Sequence, residues 1–240
     1  MSLDYTAHLR SDGEKMTRAV ARDLDAHVPT CPKWNVAKLT IHTGGHHRWV
    51  ADAIRKRGTP PDEPGKPGLR GDALVEWFRA GWTELADLLD TVDDSEPAWT
   101  WSRDQRAGFW RRRTALETLV HRYDAENAVG DPTPLDPELS ADGIDEVVFV
   151  MMGEGTYDGP GLRLALDPSD TDARWVVDLV DGRPPKAEVV ASSIAPRVDV
   201  TVGGPSSNVL LFLWGRYGAE KVELDGDDDA KAALGRWIAE

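Results

Sequence analysis

The first 137 residues carry apolar side chains at the spacing of amphipathic helices. Leu9, Met16, Val20 and Leu24, for example, lie on one face of a helix. The predicted helices cover residues from about 5 to 27, 36 to 57, 74 to 89 and 106 to 129. Asn35 is a suitable N-cap for the second helix, and the Pro/Gly-rich segment 58–71 is a loop before the third. Four helices joined by loops favour an up-down bundle.

After Pro137 the pattern changes to short apolar stretches separated by turn residues. Strands are predicted at 162–166, 175–180, 187–191, 197–202 and 221–224, and helices at 208–214 and 227–239. Residues 138–152 are expected to form one more helix, although the run VVFVMM within them would also suit a strand. The sequence therefore predicts an α+β protein of two domains, a helical bundle over 1–137 and a small α+β domain over 138–240.

Charge and composition argue against several classes of partner and site. The 240 residues include 28 Lys and Arg against 42 Asp and Glu, a formal charge of −14, which argues against nucleic acid or an anionic membrane as partner. The longest apolar run, Val209 to Trp214, is too short to span a bilayer, and the N-terminus shows no apolar signal region. Cys31 is alone, so neither an internal disulfide nor a cysteine zinc site is expected. We expect a cytoplasmic protein.

The fourth helix carries ionisable residues on the face that should enter the core. Glu117 and Asp124 lie on its apolar stripe, and His121 lies at the edge of that stripe. Glu117 and His121 are four residues apart, so their side chains project side by side. Charged groups at buried positions need partners, because an unpaired buried charge is costly. For Asp124 the plain alternative is a salt bridge to Arg113 or Arg122.

The second helix adds imidazoles to the same interior. His42 and His47 lie at the two edges of its apolar stripe and His46 near the middle. Two histidines and a carboxylate with an open position are the ligand set of a catalytic divalent metal site. The alternatives are a hydrogen-bonded core histidine, above all for His47, or a His42–His46 pair. Gly44 and Gly45, both unfavourable within a helix, suggest close packing or the close approach of another group.

Three stretches in order resemble the actinobacterial mycothiol-dependent maleylpyruvate isomerase family. They are KLTIHTGGHHRW (38–49), RRRTALETLVHRYDAENAVGDPTP (111–134) and LLFLWGR (210–216). The third, together with VELDGD (222–227), resembles the family's C-terminal domain. CPKWNV (31–36) resembles the turn that precedes the first stretch. The resemblance implies a DinB-like four-helix bundle followed by a sterol-carrier-like domain. It places the metal ligands, usually of zinc although another divalent metal would fit, on His42, Glu117 and His121. His46 departs from the family, where an apolar residue is expected, which leaves open a different pocket or a supporting role.

The resemblance also implies the chemistry. Mycothiol would bind as cosubstrate and attack a small electrophilic molecule as a metal-bound thiolate, in an isomerase or a thiol S-transferase. Asp124 and Arg216 match residues near the active site. We expect Arg216 to bind a carboxylate, with an ordinary ion pair as alternative. We expect Asp124 to contact thiol or substrate rather than to orient His121. The competing hypothesis is a non-catalytic metal- and ligand-binding module, with His46 closing the site as fourth ligand.

Other features are assigned plain roles. Cys31 is expected to be a small buried hydrophobe. The acidic run 224–230 fails the calcium-loop pattern and is expected to be a solvated helix start with Asp227 as cap. The tryptophans of the helical half are expected to serve mostly packing, with some of them lining a ligand pocket. They include Trp34, Trp49, Trp82, Trp99, Trp101 and Trp110.

Overall fold

The fold is described from a computed structural model that covers residues 3–152 and 156–239, with side chains up to residue 235. The chain divides into two compact units, residues 1–133 and 134–240. The described part combines helices with one mixed β-sheet, which confirms the predicted α+β class. In the described residues, no helix has both the length and the apolar character that a bilayer crossing requires.

The first unit consists of four long helices. They are α1 Tyr5–Val20, α2 Val36–Arg55, α3 Asp72–Thr91 and α4 Ala107–Ala128. Each of α1 and α2 packs against both α3 and α4. The core between them contains fully buried Leu9, Leu39, Phe78, Leu85 and Trp110. Helix α4 is buried on nearly every side, so its polar residues have to find partners inside the unit.

The helix starts follow their capping residues. The side chain of Asn35 accepts a hydrogen bond from the Lys38 amide at 3.0 Å, which confirms the predicted cap of α2. Helix α1 was expected to reach residue 27 but ends at Val20. The carboxylate of Asp23 accepts the amides of Asp25 and Ala26 at 2.9 and 3.2 Å. Such local bonds offer the backbone an alternative to the helix, and α1 therefore stops earlier than its apolar spacing suggested.

The second unit places helices against a sheet. Its helices are α5 Pro137–Glu146, α6 Ser206–Leu213 and α7 Asp228–Ala239, and a π-helical turn, Val147–Met151, continues α5. The strand alternative for VVFVMM is therefore wrong. Asp136 caps α5 by accepting the Leu139 amide at 2.9 Å, and Pro137 occupies its first turn. The amide of Val147 then bonds the carbonyl groups of Gly143 and Ile144, so the helical ladder runs on into the apolar stretch.

Five strands of the described residues form the sheet in the order β3-β2-β1-β4-β5. They are β1 Leu162–Pro168, β2 Ala173–Leu179, β3 Lys186–Ala191, β4 Val200–Gly204 and β5 Glu223–Gly226. Strands β1 and β4 are parallel, with Leu164 beside Val200, and the other neighbouring pairs are antiparallel. Helix α6 packs against α5, β1 and β4, and buried Leu164, Val202 and Val209 belong to this core.

Candidate metal centre

Two polar clusters occupy the buried length of α4. The buried arginine, histidine and acidic residues of this helix are Arg113, Glu117, His121, Arg122, Asp124 and Glu126. Arg122, which is fully buried, lies 3.1 Å from Asp12 of α1 and 2.9 Å from Glu126. This first cluster ties α4 to α1. The second cluster faces α2 and contains the residues predicted to bind metal.

The second cluster brings His42, Glu117 and His121 together. His121 Nε2 lies 3.0 Å and His42 Nε2 3.4 Å from the same oxygen, Oε1 of Glu117. One donor atom from each residue lies within 4.8 Å of the others, the one such group found among the described residues. A tetrahedral zinc site with bonds of 2.0–2.1 Å separates its donor atoms by about 3.3 Å. The donor set and its spacing therefore fit a divalent metal.

The three residues differ in exposure. The side chain of His42 is 43% exposed, whereas those of Glu117 and His121 are 10% and 5% exposed. The cluster is thus reached from the side of α2 and closed on the side of α4. The ring of Trp34 covers part of the opening, with its centroid 4.9 Å from that of His42 and 6.3 Å from that of His121.

The charges around Glu117 keep it ionised. Burial favours the neutral acid, but the Arg113 guanidinium and His121 outweigh burial and hold the pKa of Glu117 well below its usual range. Arg113 donates to Oε2 of Glu117, which leaves Oε1 directed at the two histidines. Burial likewise opposes protonation of His121, but the carboxylates of Glu117 and Asp124 raise the pKa of His121 to about 9.

Asp124 binds the ring nitrogen of His121 that does not face Glu117. Its Oδ2 accepts a hydrogen bond from Nδ1 of His121 at 2.9 Å, and its Oδ1 accepts one from the hydroxyl of Thr30 at 2.6 Å. The expectation that Asp124 would not orient His121 is therefore wrong, and its contact with thiol or substrate stays a prediction. The reason is geometric, since residues three apart on a helix are neighbours. Such a carboxylate fixes the ring orientation and the tautomer of a ligating histidine.

Thr30 was not identified from the sequence. It lies in the segment between α1 and α2, where the Val28 amide bonds the Trp34 carbonyl at 3.1 Å and His27 pairs with Asn35. This turn delivers both the Thr30 hydroxyl and the Trp34 ring to the cluster. No sequence signal marks Thr30, because its role depends on packing against a residue 94 positions away.

Close packing, one of the two explanations considered for the paired glycines of α2, accounts for Gly44 but not for Gly45. A Cβ atom on Gly44 would lie 2.4 Å from the ring of Trp77, so α2 and α3 approach closely at this point. Arg48 stacks over the same ring at 3.9 Å and donates to the Gly44 and Trp77 carbonyl groups at 3.0 and 2.6 Å. A Cβ on Gly45, in contrast, would meet only Pro64 at 3.6 Å.

His46 and His47 lie outside the cluster of donor atoms. Nε2 of His47 pairs with the hydroxyl of Thr118 at 3.0 Å, which matches the interpretation of His47 as a core residue. Nε2 of His46 is buried and has no hydrogen-bond partner in the described part of the chain. Burial lowers the pKa of both rings, that of His46 to about 4. His46 is not in the group that fits a metal, so it does not act as a fourth ligand in this geometry.

A cavity of about 380 Å³ opens beside the cluster, lined by His42 and His46 among others. A larger cavity of about 530 Å³ is also lined by Ile41 but by none of the three converging residues. Arg216, the remaining predicted site residue, belongs to the second unit. Its guanidinium donates to the Trp214 carbonyl at 2.7 Å and lies 5.7 Å from the centre of the Trp214 ring.

The helical unit with a His–Glu–His cluster and the second, sheet-containing unit define an α+β protein with a candidate metal centre. The family model of the mycothiol maleylpyruvate isomerase N-terminal domain matches residues 7–126, half of the 240-residue chain. The chain therefore belongs to the mycothiol maleylpyruvate isomerase family, which confirms the predicted family and with it an enzyme family.

Two solved structures share the fold. A crystal structure of the mycothiol-dependent maleylpyruvate isomerase is 14% identical to this chain, with a TM-score of 0.66 and 92% of both chains covered. A histidine-to-alanine variant of that enzyme gives 13% identity with the same TM-score and coverage. Identities this low establish the fold alone. No curated protein matches the chain.

Proposed function

We propose that this protein is a metal-dependent, mycothiol-using isomerase or thiol S-transferase that acts on a small electrophilic substrate. The observation that carries the proposal is the convergence of His42, Glu117 and His121 on one partly open point. Membership of the mycothiol maleylpyruvate isomerase family supports the thiol and the reaction class. We also propose a DinB-like up-down bundle for residues 1–137 and a sterol-carrier-like domain for 138–240.

In this proposal the metal, zinc or another divalent ion, is held by Nε2 of His42, Oε1 of Glu117 and Nε2 of His121. When bound, such an ion lowers the pKa of a thiol in its open position, so that the thiol reacts as a thiolate. Arg113 neutralises the other oxygen of Glu117 and restricts the direction of the carboxylate. Asp124 keeps the proton of His121 on Nδ1, and Nε2 is then free to act as a ligand.

The proposal also covers the role of Arg216 and the two types of reaction. Arg216 is proposed to bind a carboxylate, for which its planar guanidinium is suited. In an isomerase, the thiol adds to a double bond, the resulting single bond rotates, and elimination returns the thiol. In an S-transferase, the thioether is the product and the thiol is consumed. The non-catalytic binding module is less well supported, because His46 does not join the converging donor atoms.

The first test is elemental analysis of the purified, untagged protein beside a His121→Ala variant, with exposed His27→Ala as matched control. We expect about one equivalent of metal in the native and control proteins and its loss in His121→Ala, with helix content nearly intact. Metal-loaded protein is then assayed with mycothiol and a panel of electrophiles, and thiol consumption separates transferase from isomerase. A native protein that holds no metal even after reconstitution refutes the proposal.

A further inference from the structure

The cavity beside the candidate metal centre lies between one stripe of α2 and a loop. The loop segment 63–66 forms one wall, and the helix forms the other with Ile41, His42, Gly45, His46 and Trp49. The cavity volume of about 380 Å³ falls within the range of small-ligand sites. Because His42 is one of the three converging residues, a molecule that occupies this cavity lies next to the candidate metal centre.

The other sides of the candidate metal centre are more closed. Glu117 and His121 are buried, whereas His42 is exposed. The ring of Trp34 lies 4.9 Å from that of His42, and Trp34 is not among the described residues that line the cavity. The cavity therefore reaches His42 on a side that Trp34 does not cover.

Gly45 is a helical glycine of this wall that close packing does not explain. Glycine is unfavourable within a helix relative to alanine. At Gly44 a side chain would overlap the Trp77 ring, so that glycine is required by packing. A Cβ on Gly45 would meet only Pro64 among the described residues, at an ordinary contact distance of 3.6 Å. Gly45 therefore lowers the stability of the helix, and what it provides in return is open space in the cavity.

A side chain at position 45 would project into the approach to His42. Side chains of an α-helix lean towards its N-terminus, over the residues three and four positions earlier. For position 45 these residues are His42 and Ile41, and both line the cavity. Because the Cβ would contact Pro64, the same side chain would also enter the gap between α2 and the loop. A residue larger than alanine would thus occupy the cavity beside His42 or displace the loop segment.

We propose that Gly45 is a specificity-determining residue, because its missing side chain keeps the approach to His42 open and sets the width of the molecules that reach it. The effect is steric, so it applies to charged and neutral molecules alike. The inference rests on the proposed function only in describing these molecules as the thiol or the substrate of a metal-dependent enzyme. Access to His42 itself requires neither metal nor thiol.

The test measures access to His42 in the metal-free, full-length protein with diethyl pyrocarbonate, a small electrophile that acylates histidine rings. Peptide mass spectrometry gives the rate of modification of His42, with exposed His27 in the same molecule as internal reference. Gly45→Ala should slow modification of His42 about twofold and Gly45→Leu about fivefold or more, since a closely packed side chain leaves little room for a reagent. Gly235→Leu, the same substitution at an exposed helical position of the second unit, is the matched control and should change neither rate.

Two results overturn the inference. One is an equal rate of His42 modification in the native protein and in folded Gly45→Leu, and the other is an equal slowing at His42 and His27. Circular dichroism verifies the fold, and Gly45→Ala supplies the comparison if Gly45→Leu does not fold. Zinc content is measured after reconstitution of the native protein. A protein that holds no zinc but shows the graded loss of access refutes the proposed function alone, whereas a zinc-loaded, active protein whose His42 access does not depend on residue 45 refutes this inference alone.

Discussion

Nδ1 of His121 lies 2.9 Å from Oδ2 of Asp124, three residues further along the same helix, and the Asp124 side chain is fully buried. The second oxygen of Asp124 is occupied by the hydroxyl of Thr30. His121 is thus held by a carboxylate that is itself held in place. This arrangement directs Nε2 of His121 towards Glu117 and makes Asp124 a positioning residue for the proposed metal site.

Replacement of Asp124 by Asn should weaken metal binding without unfolding the helices. Loss of a carboxylate that orients a ligating histidine typically lowers metal affinity about 10- to 100-fold. Competition with a chromogenic zinc chelator measures the affinity, and circular dichroism verifies the helix content. Asp229→Asn, an exposed aspartate of the second unit, is the matched control. Equal zinc affinity in the native and Asp124→Asn proteins would contradict the positioning role.

The neighbouring cluster makes a different prediction, on stability. Arg122→Met leaves Asp12 and Glu126 buried without their shared guanidinium. Removing one partner of a buried ion pair costs about 3–5 kcal/mol. Arg10→Met removes a partly exposed arginine that pairs with exposed Asp87 and Asp90, and should cost about 1 kcal/mol or less. Urea unfolding of both variants compares the two free energies, and similar losses would contradict the structural role of Arg122.

The approximate positions of the helices and the grouping of His42, Glu117 and His121 could be predicted from the sequence. Helical periodicity places Glu117 beside His121, and the resemblance to the family supplies His42 from another helix. The structure confirms the α+β class and brings these three residues together. That they bind metal stays a prediction.

What could not be predicted depends on side-chain direction and on long-range packing. Helix α1 ends early because the Asp23 carboxylate binds two amides, a local competition that apolar spacing does not register. Asp124 was placed on the correct stripe, but the direction of its side chain was misjudged. Thr30 acquires a role only when the loop before α2 packs on α4. Sequence patterns identify the faces of helices more reliably than the contacts between them.

The two adjacent glycines of α2 should respond oppositely to the same substitution. Gly44→Ala places a Cβ 2.4 Å from the Trp77 ring, so α2 or Trp77 must shift, and such overpacking costs about 1–3 kcal/mol. Gly45→Ala meets Pro64 at an ordinary 3.6 Å. It should stabilise the helix by up to about 1 kcal/mol through the higher helix propensity of alanine. Thermal unfolding of the two variants provides the comparison, and a Gly44→Ala protein as stable as the native one would contradict the packing argument.

Acid should destabilise the metal-free protein in part through His46. Burial lowers the pKa of His46 in the folded state to about 4, from an ordinary value near 6.5. Among the surrounding groups, Glu117 favours its protonation, and Arg113, His42 and His121 oppose it. Between these two pKa values the unfolded chain binds more protons than the folded one, so stability is lost as pH falls from about 6.5 towards 4. From pH 7 to pH 5 the loss due to this ring should be about 2 kcal/mol.

The measurement is urea unfolding at pH 7 and pH 5 in the presence of EDTA, so that release of metal does not contribute. His46→Leu should show a smaller drop in unfolding free energy between the two pH values than the native protein, because its side chain cannot take up a proton in the unfolded state. His27→Leu, at an exposed position, is the matched control. His47, whose pKa is lowered by burial and by His46, contributes in the same direction and remains in both proteins. Because His46→Leu also removes the effect of His46 on His47, the difference between the two proteins reports on His46 together with this coupling. Identical pH dependence in native and His46→Leu proteins would show that His46 is not held neutral in the folded state.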